Sequence, residues 1–395
     1  MINEKMRELG AKRSVIRELF EYGKKRKAEI GEKNVFDFSL GNPSVPAPVE
    51  VNEELLRLIS GTESTLLHGY TSAQGDLGVR AAIADYINKT EGASVSADCL
   101  YLTVGAAAAL TSTLTALACE GEEIILLTPY FPEYRVFVER TGATVREIPC
   151  KAESFQPDTA AIEAAINDKT AAIIVNSPNN PTGAVYTEES IIALTEMLKR
   201  KEAELNRPIY LISDEPYREL VYGDVRVPFL SNYYNNTVVC YSFSKSLSIP
   251  GERIGYVFVS PSVTEFTAVY QAVAGAARAL GFVCAPSLLQ RLLPSCLGRV
   301  SDISVYDRNR RLLLDALTEY GYKAVKPDGA FYLFVKALES DAYAFCERAK
   351  KFELLLVPSD DFGYGGYVRI AYCVSTEQIE RSLPSFKALA ESYGG

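Results

Sequence analysis

Short apolar runs alternate with longer amphipathic stretches along most of the chain. From about residue 100 onward, runs rich in aliphatic and β-branched residues recur, and most are followed by apolar residues at helical spacing. The runs that predict strands are Leu100–Val104, Glu123–Leu127, Thr144–Ile148, Ala171–Asn176, Ile209–Ser213, Thr237–Ser242 and Ile254–Val259. The helical segments include Ala106–Ala118, Phe131–Thr141 and Thr187–Lys201. This alternation predicts an α/β fold, with a mostly parallel seven-stranded sheet sandwiched by helices.

The pattern changes after about residue 290. A charged amphipathic helix is predicted over Tyr306–Tyr320, and a second, smaller α+β unit follows. Its predicted strands are Phe331–Val335, Leu354–Val357 and Val368–Tyr372. Near the other terminus, the helical spacing of Val15, Ile16, Leu19 and Phe20 predicts an amphipathic helix that could pack on this unit. We expect a large domain over 45–288 and a small discontinuous domain over 1–44 and 289–395.

Composition narrows the class of protein. At ~150 residues per domain, a chain of 395 residues predicts two to three domains. Hydrophobic residues make up 48% and charged residues 23%, which is typical of soluble globular proteins. No apolar run reaches the ~18 residues that a membrane span needs. The net charge of −9 argues against general nucleic-acid binding, so we expect neither nucleic acid nor membrane as a partner.

The cysteines and the single histidine argue against a metal site. The eight cysteines, at positions 99, 119, 150, 240, 284, 296, 346 and 373, form no C-x-x-C pair. His68 is the sole histidine, which excludes a multi-histidine site, and we expect no metal. His68 is either structural or close to the functional site. Without a secretory segment, reduced thiols predict a cytoplasmic protein.

Four segments at predicted strand ends carry residues suited to chemistry. In T-V-G-A-A-A-A-L (Thr103–Leu110), a strand runs into a helix through small residues, which let backbone N–H groups approach an anion. Small residues also begin ordinary helices, so this segment alone is weak. N-S-P-N-N-P-T-G (Asn176–Gly183) forms a rigid polar turn, which could also be a simple tight connection.

The other two segments carry ionisable side chains. I-S-D-E-P-Y (Ile212–Tyr217) ends an apolar strand with Asp214, which is either a cap residue or the partner of a cation. Y-S-F-S-K-S-L-S-I-P-G-E-R-I-G-Y (Tyr241–Tyr256) places Lys245 among hydroxyls. A lysine amine can form a Schiff base with a carbonyl cofactor, and serines with an arginine can bind phosphate. By itself, the same segment could be an exposed turn.

Together the four segments resemble those of class I/II aminotransferases, the pyridoxal-phosphate enzymes of the aspartate aminotransferase fold (fold type I). The motifs N-N-P-T-G, D-E-P-Y and S-F-S-K…G-E-R-I-G stand in the family's order and at its approximate spacing. Y-T-S-A-Q-G-D-L-G-V-R at Tyr70–Arg80 and Y-V-R-I-A-Y at Tyr367–Tyr372 also match, so the resemblance covers essentially the whole chain. No P-loop or dinucleotide-binding motif competes with it.

The resemblance implies roles for residues around the cofactor, pyridoxal 5'-phosphate. Lys245 would carry it as an aldimine, and Asp214 would keep its pyridine nitrogen protonated. Tyr217 and Asn180 resemble the partners of the ring's phenolic oxygen, and Phe131 resembles the residue stacked on the ring. The phosphate would be bound by Ser242, Arg253, the backbone at Ala106 and Ala107, and Tyr70 of a neighbouring subunit. Ala107 departs from many relatives, which have a polar residue there, and this departure predicts weaker cofactor retention.

The same resemblance implies substrate contacts and an assembly. Arg369 resembles the fork that binds the substrate α-carboxylate, and the Gly41 backbone would contact the same group. The role given to Tyr70 implies a homodimer with shared active sites. No residue for a distal carboxylate stands out. Arg278 could reach an acidic substrate side chain or be an ordinary surface arginine, and aspartate, alanine and aromatic donors all remain open.

The function that the resemblance implies is transfer of an amino group between an L-amino acid and a 2-oxo acid. A lyase, decarboxylase or synthase with the same cofactor and fold is the alternative, since it would share the residues around the cofactor. A regulator that uses such a domain as a sensor would usually need an added DNA-binding domain, for which we expect no room in 395 residues.

Overall fold

The computed structural model describes residues 2–11 and 14–394. Its strands are β1 (Phe36–Asp37), β2 (Leu100–Thr103), β3 (Glu123–Thr128), β4 (Thr144–Pro149), β5 (Thr170–Asn176), β6 (Tyr210–Asp214), β7 (Thr237–Ser242), β8 (Gly255–Val259), β9 (Lys323–Val325), β10 (Tyr332–Lys336), β11 (Leu354–Leu355), β12 (Val357–Pro358) and β13 (Tyr367–Ala371).

The helices cover most of the remaining chain. They are α1 (Glu4–Ala11), α2 (Val15–Ile30), α3 (Val49–Gly61), α4 (Ser64–His68), α5 (Leu77–Glu91), α6 (Ala106–Leu117), α7 (Glu133–Glu139), α8 (Thr159–Ala165), α9 (Glu188–Leu205), α10 (Phe243–Ser246), α11 (Phe266–Ala279), α12 (Ser287–Cys296), α13 (Ser304–Glu319), α14 (Ala342–Lys350) and α15 (Thr376–Gly394).

The large sheet has seven strands in the order β2-β8-β7-β6-β5-β3-β4. All neighbouring pairs are parallel except the two that involve β8, which is antiparallel to both β2 and β7. The predicted mostly parallel sheet is therefore confirmed. The seven predicted strands agree with the observed ones to within a residue at each end.

Side-chain alternation along the central strands places apolar residues on both faces of this sheet. In β5, which is buried along its whole length, Ile173 and Val175 face α8 and α9, whereas Ala172 and Ile174 face α6, α7 and α11. On the same face as α8 and α9, the helices α3, α4, α5 and α12 cover β2, β7 and β8. Continuous apolar strands with two buried faces are typical of parallel sheets between helical layers.

A second, four-stranded sheet has the order β12-β13-β10-β9. It packs with α13, α14 and α15 around a separate hydrophobic core that includes Leu333, Ile370 and Phe386. The predicted strand Leu354–Val357 is in fact two short strands in different sheets: β11 pairs in parallel with β1, whereas β12 joins β13. The prediction failed there because a continuous apolar run does not show a change of pairing partner.

The helix predicted near the N terminus is α2, and it docks on the C-terminal part of the chain as the sequence suggested. Leu19 is 4% exposed and packs with Val357 and Phe362. Arg26 forms an ion pair of 2.6 Å with Glu353, whereas Phe20 remains 41% exposed. α2 therefore packs against the C-terminal part of the chain.

The parallel strands determine where a site can form. β5, β6 and β7 are neighbours and run in the same direction, so their carboxyl ends meet at one edge of the sheet. Ligands of open α/β sheets gather at this edge. Among residues 2–11 and 14–394, no helix has both the length and the apolar character needed to span a bilayer.

Candidate active site

Three adjacent strands end in polar side chains that lie side by side. Asn176 ends β5 and is in register with Asp214, which ends β6. The Asn176 amide donates a hydrogen bond of 2.9 Å to the Asp214 carbonyl and accepts one of 2.8 Å from the Asn180 N–H, which fixes the turn after β5. Ser242 ends β7, two residues beyond the partner of Asp214. The sheet thus brings three of the four predicted segments together.

Asp214 is a buried carboxyl group that lacks one partner. Its Oδ2 accepts a hydrogen bond from the Tyr134 hydroxyl, whereas its buried Oδ1 has no partner within the described residues. Burial raises the pKa of Asp214 to about 7, although the bond from Tyr134 acts in the opposite direction. A positive charge facing Oδ1 would return the group to its ionised form.

Lys245 lies in α10, directly after β7. Its Nζ donates a hydrogen bond of 2.7 Å to the Gly41 carbonyl and lies 5.4 Å from the centre of the Phe331 ring. Burial lowers the pKa of Lys245 to about 8, and the nearby Arg253 and Arg369 add to this effect while Cys373 opposes it. A lysine with this pKa has a substantial neutral fraction near neutral pH and can act as a nucleophile or base.

An anion cradle lies beside Lys245, between β2 and β8. Gly105 precedes α6 with φ +86°, and a Cβ on it would lie 2.6 Å from an Nη atom of Arg253. Arg253 donates to Ser244 Oγ (3.3 Å), which lies 2.8 Å from Ser242 Oγ. In the described part of the chain, no carboxylate lies within 4.0 Å of Arg253. A helix N-terminus, an arginine without a carboxylate partner and two hydroxyls suit a phosphate group.

Arg369 is a buried guanidinium in β13, and one of its three nitrogen atoms has no hydrogen-bond partner among the described residues. It is 2% exposed, and its Nη atoms donate to Asn180 Oδ1 (3.1 Å) and to the Ser39 carbonyl (2.6 Å). Its buried Nε has no partner among the described residues, and its Cζ lies 4.6 Å from the centre of the Tyr332 ring. A buried cation without a carboxylate partner is suited to an anionic ligand.

Some of the other predicted residues lie at the site, and three lie on the surface of the chain. Tyr217 is buried, with its hydroxyl 2.9 Å from that of Tyr332, and Phe131 lies edge-on to Tyr134 at 5.7 Å. Ala106 and Ala107 begin α6. By contrast, three residues are exposed in this chain, and the structure gives them no contact with the site: Tyr70, His68 and Arg278.

Sequence reasoning missed three side chains at this site. The motif S-F-S-K contains both Ser242 and Ser244, and the sequence prediction assigned a phosphate contact to Ser242 only. Tyr134 follows Phe131 by three residues within the predicted helical segment Phe131–Thr141, a spacing that would place both on one side of such a helix. In the structure Phe131 precedes α7, and Tyr134 lies in its first turn. No local signal indicates Tyr332, because only the pairing of β10 with β13 brings it next to Arg369.

Comparisons with known proteins agree with this geometry. The profile of the family described as aminotransferase class I and II matches residues 33–386. The chain belongs to this family. The aspartate aminotransferase of Thermotoga maritima is 32% identical over 373 residues, which cover 93% of this chain and 95% of that protein. The aspartate/prephenate aminotransferase of Thermus thermophilus is 30% identical over 88% of both chains.

A solved structure shows the same fold in full. The crystal structure of an amino transferase from Eubacterium rectale aligns with a TM-score of 0.98 at 54% identity and covers 100% of both chains. The chain is therefore an aminotransferase that uses pyridoxal phosphate, as members of this family do. Within the described residues, no group of three or more His, Cys, Asp or Glu side chains is arranged to hold a metal ion.

The residues of this aminotransferase fit pyridoxal phosphate on three observations. The unpartnered Asp214 Oδ1 suits a protonated pyridine nitrogen. The cradle at Gly105, Ser244 and Arg253 suits the phosphate. The amine of Lys245, with its lowered pKa, suits the aldehyde.

The cradle predicts a specific effect of Gly105→Ala. The added Cβ would collide with the Arg253 guanidinium at 2.6 Å and would sit at a positive φ. We expect the dissociation constant for pyridoxal phosphate to rise at least about tenfold, since a displaced guanidinium loses a charge-assisted bond. Equilibrium dialysis of the apoprotein measures this constant.

Gly121→Ala is the matched control for Gly105→Ala. Gly121 has φ +84°, and a Cβ there would meet nothing within 4 Å, so the substitution adds the same backbone strain away from the cradle. An equal loss of affinity in both variants, or none in Gly105→Ala, would contradict the assignment of the cradle.

The lowered pKa of Lys245 predicts its reactivity. Because the amine titrates at about 8 rather than at the ~10.4 of a free lysine, labelling of Lys245 by an amine-reactive reagent should rise through pH 8. Quantitative mass spectrometry of the apoprotein, labelled briefly across pH 6–11, follows this single site. A midpoint near 10 would show that the environment does not depress the pKa.

Proposed function

We propose that Lys245, Asp214 and Arg369 act together to move an amino group between an L-amino acid and a 2-oxo acid. The observation that supports this most directly is the pair of free buried atoms, Asp214 Oδ1 and Arg369 Nε, in the same site as the Lys245 amine. Unpartnered buried charges cost several kcal/mol unless a ligand pairs with them. A cofactor with a basic ring nitrogen and a substrate with a carboxylate supply those partners.

Arg369 orients the substrate in this proposal. Its two Nη atoms are held by Asn180 and Ser39, so the guanidinium presents its free Nε edge in one direction. An α-carboxylate bound there, with the Gly41 backbone alongside, brings the α-carbon towards Lys245, whose Nζ already contacts the Gly41 carbonyl. Asn180 thereby links the substrate carboxylate to the cofactor ring oxygen that we assign to Asn180 and Tyr217.

Lys245 performs the proton transfer. When bound, pyridoxal phosphate draws electrons away from the substrate's α-carbon, with Asp214 maintaining the positive charge on the ring nitrogen. Once the substrate amine has displaced it from the cofactor, the neutral Lys245 Nζ would be the base that accepts the proton from the substrate α-carbon and gives it up again to the cofactor. Phe131 covers the ring, and Ser242, Arg253 and the backbone at Ala106 and Ala107 hold the phosphate.

The names of the relatives suggest which donors to examine. They act on aspartate, on aspartate and prephenate, or on aromatic amino acids, according to their names. We therefore propose aspartate or an aromatic L-amino acid as the donor. These relatives are all named aminotransferases, and none is named a lyase, decarboxylase or synthase, which favours amino-group transfer.

The test is the absorption spectrum of the cofactor-loaded protein with single L-amino acids, before and after addition of a 2-oxo acid. We expect the visible band to disappear with aspartate or an aromatic donor and to return with the oxo acid. Lys245→Ala should abolish the response. A spectrum that donors change but oxo acids never restore would support the lyase instead.

Arg369→Lys separates substrate binding from cofactor binding. Lysine cannot reproduce the planar fork, so the KM of the donor should rise about 10- to 100-fold while affinity for pyridoxal phosphate stays within about twofold. Arg311→Lys, at a guanidinium that is 69% exposed, is the control. An unchanged KM would remove Arg369 from the carboxylate site.

We propose a homodimer with shared active sites. Tyr70, which the family resemblance assigns to the neighbouring site, is 98% exposed in the single chain. Large apolar side chains of α3, α4 and α5 are also exposed, namely Leu56, Ile59, Leu66 and Leu77 at 56–66%. Exposed apolar side chains of this kind support burial against a second copy.

Mixing two inactive variants tests the sharing of sites. If Tyr70 serves the partner's site, exchange of subunits between Tyr70→Ala and Lys245→Ala dimers creates one intact site in each mixed dimer. Activity should recover to about a quarter of the wild-type value at random exchange. If Tyr70 served its own site, no mixed dimer would contain an intact site and no activity would return.

Two further assignments complete the proposal. We divide the chain into a large domain over 45–288 and a small domain over 1–44 and 289–395; positions 1, 12, 13 and 395 lie outside the described residues. The separate core around the small sheet supports this division. We place the protein in the cytoplasm, which the eight free cysteines support.

A further inference from the structure

Tyr332 contacts both halves of the proposed site. It begins β10, whose pairing with β13 places it two residues from the position opposite Arg369. Its hydroxyl lies 2.9 Å from the Tyr217 hydroxyl, and its ring centre lies 4.6 Å from Arg369 Cζ. Tyr332 is 2% exposed, so both contacts are shielded from water. Among the described residues, no other side chain forms a hydrogen bond or a ring contact with both Tyr217 and Arg369.

The backbone at Gly41 is shaped around the same hydroxyl. A Cβ at position 41 would lie 2.0 Å from Tyr332 Oη, a distance that no real side chain could adopt without displacing the ring. The Gly41 carbonyl accepts the hydrogen bond from Lys245 Nζ. The Tyr332 hydroxyl therefore lies beside the segment that receives the catalytic amine, and its position there is fixed by close packing.

The hydroxyls of Tyr217 and Tyr332 lie 2.9 Å apart, and either one can donate to the other. One hydroxyl donates to the other, and the remaining O–H proton is then free to point elsewhere. Burial raises the pKa of both phenols, to about 12 for Tyr332 and well beyond its ordinary value for Tyr217. The Arg369 guanidinium acts to lower the pKa of both phenols, and its Cζ lies over the Tyr332 ring.

We propose that Tyr332 is a positioning residue with two separable contributions. Its hydroxyl donates to Tyr217 and leaves the Tyr217 proton directed at the cofactor's ring oxygen, while its ring supports the Arg369 guanidinium that faces the substrate carboxylate. This inference rests on the proposed function and adds a residue that the sequence motifs do not identify. Cooperative polarisation along the two hydroxyls strengthens the second bond.

The proposal separates the effects of two substitutions. Tyr332→Phe keeps the ring under Arg369 and removes only the hydroxyl. Tyr332→Leu removes both. Tyr372→Phe is the matched control. Tyr372 is a buried tyrosine directly after the neighbouring strand β13, and its hydroxyl lies 3.1 Å from the Tyr222 hydroxyl, so the control deletes a comparable buried bond.

The first measurement is the pH titration of the visible absorption of the loaded protein without substrate. A weakened Tyr217 bond stabilises negative charge on the ring oxygen less, so the titration midpoint in Tyr332→Phe should move to higher pH by about 0.3–1 unit. Tyr332→Leu should show a shift in the same direction, and Tyr372→Phe none. An unchanged or lowered midpoint in Tyr332→Phe would overturn the role of the hydroxyl.

The second measurement is the affinity for succinate, a carboxylate without an amino group, followed by its effect on the same spectrum. Tyr332→Phe should bind it within about twofold of the wild-type protein, whereas Tyr332→Leu should bind about five- to thirtyfold more weakly because the cation–π support is lost. Equal affinity in all variants would overturn the role of the ring.

Failure of this inference differs from failure of the proposed function. If the wild-type protein transfers no amino group, the proposed function fails. If the wild-type protein is active and Tyr332→Phe matches it in spectrum and affinity, only the role of Tyr332 fails. Circular dichroism melts of each variant confirm that the comparison is between folded proteins, and the conservative Phe variant retains the packing volume that Leu removes.

Discussion

The parallel alignment of β5, β6 and β7 is the constraint on which the site depends. Because neighbouring parallel strands end at the same edge, Asn176, Asp214 and Ser242 meet there although they are far apart in sequence. The alignment in turn requires both faces of the strands to be covered, which the helical layers over Ile173 and Ile174 provide. Hydrophobic burial and the placement of polar groups are thus consequences of one topology.

The site contains buried ionisable groups with unpaired polar atoms, and ligands that pair with those atoms would lower their free energy. Asp214 and Arg369 are buried with one free atom each, and Lys245 is buried enough to lose much of its charge near pH 8. Burial raises the pKa of Asp214 and so favours its neutral acid, and it lowers the pKa of Lys245 and so favours its neutral amine. A cation facing Asp214 Oδ1 would return that carboxyl group to its ionised form. Tyr134 limits this cost at Asp214 by donating to the second carboxylate oxygen. The cofactor and the substrate would therefore pair with polar atoms that the fold leaves without partners, and their binding would stabilise the folded protein.

The small sheet and the segment before residue 45 supply several residues of the site. β13 carries Arg369, β10 carries Tyr332, and the segment before residue 45 contributes the carbonyls of Ser39 and Gly41. These groups form hydrogen bonds with residues that follow strands of the large sheet: Arg369 with Asn180, Tyr332 with Tyr217, and the Gly41 carbonyl with Lys245. The contact between Tyr217 and Tyr332 joins the two sets of elements through one hydrogen bond, so the positions of the cofactor contacts and of the carboxylate contacts are coupled.

The sequence by itself determined the strands, their parallel class, and the local segments that carry Lys245, Asp214, Arg253 and Arg369. These were predictable because β-branched runs and strand-end motifs are encoded by neighbouring residues. The split of Leu354–Val357 between two sheets was not predictable. The two parts of this apolar run pair with β1 and with β13, and only the tertiary structure shows those partners. Tyr332 gave no local signal either, because only the pairing of β10 with β13 brings it next to Arg369. The tertiary structure alone decided which oxygen of Asp214 and which nitrogen of Arg369 stay free, for a free buried atom results from all its neighbours at once.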